Sequence, residues 1–426
     1  MLTGSLFLGS LLGAMALGMP IAFALLVCGL ALMLQLGVFD ANIVAENLIN
    51  GADSFPLMAV PFFLLAGEFM NAGGLSRRII TIGVAFFGHF RGGLGYVAIV
   101  SAIVLASLSG SAVADTAALA AVLVPMMRAA GYDVPRASGL MAAGGIIAPV
   151  IPPSIGFIVF GVAANVSITH LFLAGIAPGV LMGIALATAW WLVSARESVK
   201  PYPRETWRVR FSELGRGAWA LGLPVLIIGG LKFGIFTPTE AAVVAAVYAL
   251  FVGMFVYREL RPGQLFGTIL AAGKATGVIM FLVAAAGVSA WLITIANIPA
   301  QLGTMLQPLI EHRTLLMLAM MMLVLVVGTA LDFVPTVLIL TPVLMPIVKQ
   351  AGIDPVYFGV LFIINNAIGL ITPPVGVVLN VVCGVARIDM DSAIRGVWPF
   401  LIAEVIVLAL LIIFPQLVTV PLGLLR

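Results

Sequence analysis

The chain has 426 residues, 62% of them hydrophobic and only 9% charged, with a mean hydropathy of +1.23. A soluble domain carries about 25% charged residues, so a water-soluble globule is excluded; the continuous apolar runs also exclude a β-barrel, whose strands alternate over about ten residues. The small basic excess, 20 Lys+Arg against 17 Asp+Glu, is no nucleic-acid signature, and Cys28 and Cys383 fall inside apolar runs that support neither a disulfide nor a metal site.

Apolar segments follow in order at 2–17, 20–36, 55–71, 95–108, 112–127, 136–165, 171–194, 217–236, 238–256, 276–293, 314–328, 333–348, 355–386 and 397–421. The first has no basic flank and reads as a retained helix rather than a cleaved signal. A full crossing needs about 20 residues. The short segments come in pairs, 95–108 with 112–127 and 314–328 with 333–348, and each pair reads as a re-entrant hairpin. Such a tip is tolerated only inside protein or against a wet cavity. Double prolines, Pro152-Pro153 and Pro373-Pro374, break the segments 136–165 and 355–386 into discontinuous helices.

An internal repeat organises these elements. Pro125 and Pro346 are 221 positions apart, as are Gly131 and Gly352, Asp133 and Asp354, and Pro152 and Pro373. The same offset lays an expected arm helix 74–92 over 295–313. The expected organisation is a first repeat over 1–194, with hairpin 95–127 and broken helix 136–165. A basic linker, 195–216, leads to a second repeat over 217–426, with hairpin 314–348 and broken helix 355–386. The fold class expected is an all-α polytopic membrane protein with two inverted-topology repeats. An odd number of crossings in the first repeat inverts the second.

Charge gives the orientation. The segments 72–94, 125–136, 195–216, 257–275 and 387–396 share one side and hold sixteen of the 20 basic residues. The loop 37–54 opposite carries Asp40, Glu46 and Asp53 and no base. By the positive-inside rule the basic side is cytoplasmic and both termini are periplasmic. The linker residues Arg196, Lys200, Arg204, Arg208, Arg210 and Arg216 read as a loop lying on lipid headgroups.

Ionisable groups are costly in hydrocarbon and mark function by default. Within spans they are Glu68, Asp115, Lys232, Glu240, Asp332 and Glu404. Lys232 and Glu240 read as a structural ion pair across the Thr237-Pro238 turn. Glu68 reads as an interfacial or capping group, and Glu404 as snorkelling or meeting a partner. Asp115 and Asp332 sit beside the hairpin tips. Helices starting after Ser111, near Ser154, after Asp332 and near Val375 are expected to present free N–H groups to an anionic substrate group. Oxygen atoms freed at the same breaks suit Na⁺. One site would draw on Ser107, Ser109, Gly110, Ser111, Asp115, Gly145 and Pro149, and a second on Thr329, Asp332, Thr336, Asn365, Asn366 and Thr372. The substrate itself is expected at Ser109, Ser154, Thr329, Thr372 and Gly376. The bland alternative is that these hydroxyls only bond back to their own helix carbonyls. No Walker A motif, metal-protease motif or catalytic triad is present, so no enzyme activity and no cofactor are expected, with Na⁺ only as coupling ion.

Leu17-Gly-Met-Pro-Ile-Ala-Phe-Ala24, Val60-Pro-Phe-Phe-Leu-Leu-Ala-Gly-Glu68, Ser109-Gly-Ser-Ala-Val-Ala-Asp115, Ile151-Pro-Pro-Ser154 and Ile371-Thr-Pro-Pro-Val-Gly376 resemble, in order, the DctM-type large membrane subunit of TRAP (tripartite ATP-independent periplasmic) transporters. The resemblance covers essentially the whole chain. It implies a bacterial inner-membrane system importing a small organic acid (a dicarboxylate, a sialic or other sugar acid, or a keto acid) by sodium symport with an elevator mechanism. It also implies a DctQ-type small four-helix membrane subunit, expected as a separate polypeptide, and a DctP-type periplasmic substrate-binding protein. The alternative is a self-sufficient Na⁺-coupled anion transporter or ion antiporter that needs no binding protein.

Overall fold

A computed structural model describes residues 2–195, 199 and 201–425. Arg196 and Lys200 of the basic linker lie outside the described residues. Among the latter, all regular structure is helical, and nine helices are long and apolar enough to cross a membrane.

The chain opens with α1 (Leu2–Ala16), α2 (Ile21–Leu36) and α3 (Ala41–Ala52), then a 3₁₀ turn at Phe55–Met58 that leads into α4 (Ala59–Ala72). The arm helix α5 (Leu75–Phe87) follows. Hairpin one is α6 (Gly93–Ser109) with α7 (Ala112–Ala129). The first broken helix is α8 (Val134–Gly145) and α9 (Ile155–Ala164), and α10 (Ile168–Ser194) closes the half. The second half runs α11 (Trp207–Lys232), α12 (Pro238–Phe251), α13 (Pro262–Ile295) and the arm α14 (Ile298–Ile310). Hairpin two is α15 (Arg313–Ala330) with α16 (Phe333–Gln350), the broken helix is α17 (Pro355–Gly369) and α18 (Val377–Ala386), and α19 (Met390–Ile413) and α20 (Gln416–Leu425) end the chain.

Three stretches expected as loops are helical. Residues 37–54 contain α3, opened by Asp40, whose carboxylate accepts the Asn42 N–H at 2.8 Å. The linker 195–216 is helical from Trp207, and 257–275 is helical from Pro262, so α13 is one continuous 34-residue rod. Conversely, 397–421 is two helices, interrupted after Ile413 at Phe414-Pro415. At the 221-residue offset α3 and α4 together overlie α13, so the second half runs straight where the first half bends.

Two groups of helices emerge from the packing. Helices α2, α3, α4, α12 and α13 pack on one another, with α1 on α2 and α11 on α5 and α12. The hairpins and broken helices form the other group and are cross-braced. α9 of the first half lies against α16 of the second, and α18 of the second against α7 and α8 of the first. Glycine lets backbones touch where these helices cross. A Cβ on Gly396 would overlap the Pro135 carbonyl oxygen, and one on Gly51 would stand 3.2 Å from the Gly287 Cα. Gly139 faces Gly396 in the same way, tying α8 to α19.

The ion pair expected between Lys232 and Glu240 does not form. Glu240 instead closes a capping box at the start of α12, accepting the Thr237 N–H and hydroxyl at 2.8 Å each. A contact three residues away costs less chain entropy than an exposed pair with a long lysine side chain. Glu404 is also not at an interface. It is fully buried, and neither carboxylate oxygen has a partner among the described residues.

Gly396→Val should cost about 1–3 kcal/mol of stability through overpacking and lower the thermal midpoint of the purified protein. Gly267→Ala, inside α13 where nothing lies within 4 Å of the added methyl, should hold or raise the midpoint, since Ala is the better helix former.

Candidate functional site

Each hairpin tip is a helix end within an apolar run, so its polar backbone needs local partners. At tip one, Gly110 takes the left-handed conformation (φ 63°) that ends α6. The Ser111 hydroxyl then caps α7 by accepting the Ala114 N–H at 3.4 Å. A Cβ at Gly110 would stand 2.5 Å from the Pro153 carbonyl oxygen, so the tip docks on the first break. At tip two, Asp332 caps α16, its Oδ1 accepting the Phe333 N–H at 2.7 Å. The Phe333 ring lies over Gly156 at the start of α9. Tip two therefore leans on the other half's broken helix.

The expectation of four free helix N-termini is narrowed, since three of them have one N–H taken by a side chain and keep the others. Ser111, Ser154 and Asp332 cap α7, α9 and α16 with their own side chains, Ser154 accepting the Phe157 N–H at 3.1 Å. Only α18, opened by Gly376 (φ 49°), lacks a side-chain cap. Both double prolines, Pro152-Pro153 and Pro373-Pro374, carry cis peptide bonds.

Many of the hydroxyls singled out do bond back to their own helices, as the bland reading has it. Ser107 donates to Val104, Thr329 to Val326, Thr336 to Asp332 and Thr372 to Ile368. The Ser154 hydroxyl donates to the Pro149 carbonyl within the break. Ser109 differs: its hydroxyl donates to Asp115 Oδ1 and accepts the Ser111 N–H at 3.1 Å. That contact spans the tip.

Among the described residues, buried oxygens remain without partners at both hairpin–break junctions. In the first half they are Asp115 Oδ2 and Thr116 Oγ1, with Asp115 only 4% exposed and Thr116 fully buried. Thr116 stands where a side chain on Gly145 would have to go. In the second half they are Asn365 Oδ1 and Asn366 Oδ1. The amides of these residues are spent on the Met321 carbonyl and, at 2.8 Å, on the Phe333 carbonyl of tip two. Asn366 Oδ1 lies 3.0 Å from where a Cβ on Gly328 would be. Orphaned buried oxygens are rare in folded proteins; besides those of Ser101, Ser138 and Glu404, the ones among the described residues fall at the corresponding junction of each half. Thr116 was not singled out in the sequence; its signals are adjacency to Asp115 and a buried position one residue along the same helix.

Between the tips lies a cavity of about 250 Å³. Gly110 to Val113 and Asp332 to Pro335 form two of its walls, Pro149 and Gly156 the break, and Leu64 of α4 with Ala275, Val278 and Leu282 of α13 the opposite side. Ser111 and Asp332 supply its polar side chains, while Ser109, Ser154, Thr329, Thr372 and Gly376 are not among its walls.

Paired re-entrant hairpins and broken helices enclosing a small cavity define the class: a multi-pass membrane transporter. The fold agrees with the YdaH transporter of Alcanivorax borkumensis, at a TM-score of 0.63 and 15% sequence identity, over 90% of this chain and 91% of that one. Residues 8–417 match the family described as the tripartite ATP-independent periplasmic transporter, DctM component, and the chain belongs to it. It is 56% identical to the 2,3-diketo-L-gulonate TRAP transporter large permease protein YiaN of Escherichia coli, over 98% of both chains. It is 37% identical to the sialic acid TRAP transporter large permease protein SiaM of Vibrio cholerae, over 97% of both. The protein is thus a large permease component of the inner membrane.

Gly110→Ala would add strain at a positive φ and press on the Pro153 carbonyl. About 1–2 kcal/mol should be lost from the docked tip, seen as faster hydrogen exchange at residues 108–114 without a change in helices α11–α13.

Proposed function

We propose that the protein imports a small organic acid by sodium symport, working with a small DctQ-type membrane subunit and a periplasmic binding protein. The supporting observation is the pair of unpartnered oxygen clusters, Asp115 with Thr116 and Asn365 with Asn366, one in each half. A hard monovalent cation would take these oxygens together with the tip and break carbonyls. Ser109 would hold the Asp115 carboxylate in place, and the lone pairs of Ser107, Thr329, Thr336 and Thr372 stay open to a ligand because only their protons are committed.

The substrate carboxylate would sit in the cavity between the tips, near Ser111 and within reach of the α7 and α16 N-termini. Its size fits a small organic acid, and the relatives named for diketogulonate and sialic acid carry acidic sugar derivatives. A cation bound behind the tips would order them and raise the affinity for the anion, a reciprocal linkage. Transport would then proceed by an elevator. The cross-braced hairpins and broken helices would move as one body against α2–α4 and α11–α13, where a Cβ added to Gly67 would stand 3.7 Å from Ser109 of the tip. The basic face would be cytoplasmic and both termini periplasmic.

Asp115→Asn, assayed in proteoliposomes with the small subunit and binding protein present, should raise the Na⁺ concentration for half-maximal uptake roughly ten- to hundredfold, the worth of one charged ligand. Asn366→Leu should weaken Na⁺ dependence as well, with both variants eluting as folded protein. Uptake with unaltered Na⁺ dependence in both would remove the assignment.

A further inference from the structure

On the basic face, away from the hairpin site, one arginine is buried without an anion among the described residues. Arg210, in the first turn of α11, is 4% exposed, and its Nε has no partner among the described residues. Its Nη2 sits 3.2 Å from His89 Nδ1, and its guanidinium lies 5.0 Å from the Trp207 ring centroid and 5.8 Å from that of Phe86. The two ion pairs among the described residues are Arg78–Glu259 and Arg216–Glu213. Neither includes Arg210. A buried guanidinium with no carboxylate is costly unless some other anion reaches it.

The surroundings are built for one. Thr206 opens α11 without a side-chain cap, leaving the first N–H groups of that helix free of a side-chain acceptor. His89 accepts rather than donates toward Arg210 when neutral. Desolvation, then Arg210, then Arg204 hold its imidazole below the ordinary range. The platform is fixed: the Tyr202 N–H donates to the Gly88 carbonyl at 3.2 Å, and the Trp190 indole to the Gly92 carbonyl at 2.8 Å. Glu213 is occupied by Arg216, and Glu205 is exposed next to Arg204.

We infer that Arg210, Arg204, His89 and the uncapped start of α11 form a binding site for a phosphate group, and that its source is the headgroup of an anionic phospholipid. The choice of a lipid rests on Trp207 and Phe211. They are 59% and 62% exposed and stack at 5.8 Å beside the cations, the placement of aromatic anchors at a membrane interface. A soluble phosphate would gain nothing from these rings. The site joins the end of the arm α5 to the start of α11, so a bound headgroup would brace one fixed point of the arm.

The test is reconstitution of the full chain in dodecyl maltoside micelles containing equimolar phosphatidylcholine and phosphatidylglycerol, followed by counting of retained lipids by native mass spectrometry. Wild type should keep phosphatidylglycerol in preference to phosphatidylcholine. Arg204→Gln, at an exposed position, and Arg210→Gln should each keep roughly fivefold less. The charge-matched control Arg395→Gln, whose guanidinium bonds its own helix, should keep as much as wild type. An equal loss in Arg395→Gln, or no loss in Arg204→Gln, would reduce the effect to diffuse surface charge and overturn the site. Displacement of phosphatidylglycerol by inorganic phosphate at equal phosphate concentration would overturn the lipid as its source.

Discussion

A backbone that stops inside a membrane must find partners for every polar group it exposes, and the architecture follows from how this chain does so twice. Capping by Ser111, Ser154 and Asp332 quiets three helix starts, and the Asn366 amide takes the Phe333 carbonyl at tip two. Asn380 does the same for the Val375 carbonyl beyond the second break, at 3.0 Å. What is left over among the described residues includes Ser101, Ser138 and Glu404 elsewhere in the bundle, and four oxygens, of Asp115, Thr116, Asn365 and Asn366, that flank the hairpin–break junctions. The candidate site is in this sense a remainder of the hydrogen-bonding problem that these breaks pose.

The two halves reach that remainder by different routes. In the first, the free oxygens belong to the hairpin arm α7 and face glycine on α8. In the second they belong to the broken helix α17 and face Gly328 on the hairpin arm α15. Gly145 and Asn366 occupy matching places in the repeat, so the oxygen-bearing side chain has crossed from one partner to the other. One half offers a carboxylate, the other neutral amides. Equal affinity for a cation in both is therefore not expected.

The breaks were legible because Gly, Ser and Pro inside an apolar run have few other uses, and the 221-residue spacing tied one break to the other. The resemblance to the DctM family was legible for the same reason. Helix α3, the first turn of α11 and the first third of α13 were not: Glu46 and Asn47, Arg208 and Arg210, and Gln264 and Lys274 raise their polarity to that of loops. They are helical because one face packs on a neighbour while the other remains exposed, a distinction that average hydropathy erases. Residue-level roles were least legible. Lys232 and Glu240 are near in sequence, yet the Thr237 capping box claims the carboxylate. Glu404 looked peripheral because the last helix had no visible neighbours, while α8, α10 and α17 in fact enclose that helix.

The unbroken α13 has a mechanical consequence. Its 34 residues extend about 50 Å at 1.5 Å per residue, against a hydrocarbon thickness of about 30 Å. The stretch after Lys274 is alone long enough to match that thickness, so the part before it must lean steeply or project among the headgroups. Phe266, Ile269 and Leu270 are exposed on that part and would draw lipid up around it. A rod longer than the hydrocarbon is thick meets a change of bilayer thickness by a change of tilt, and α13 is one wall of the cavity between the tips.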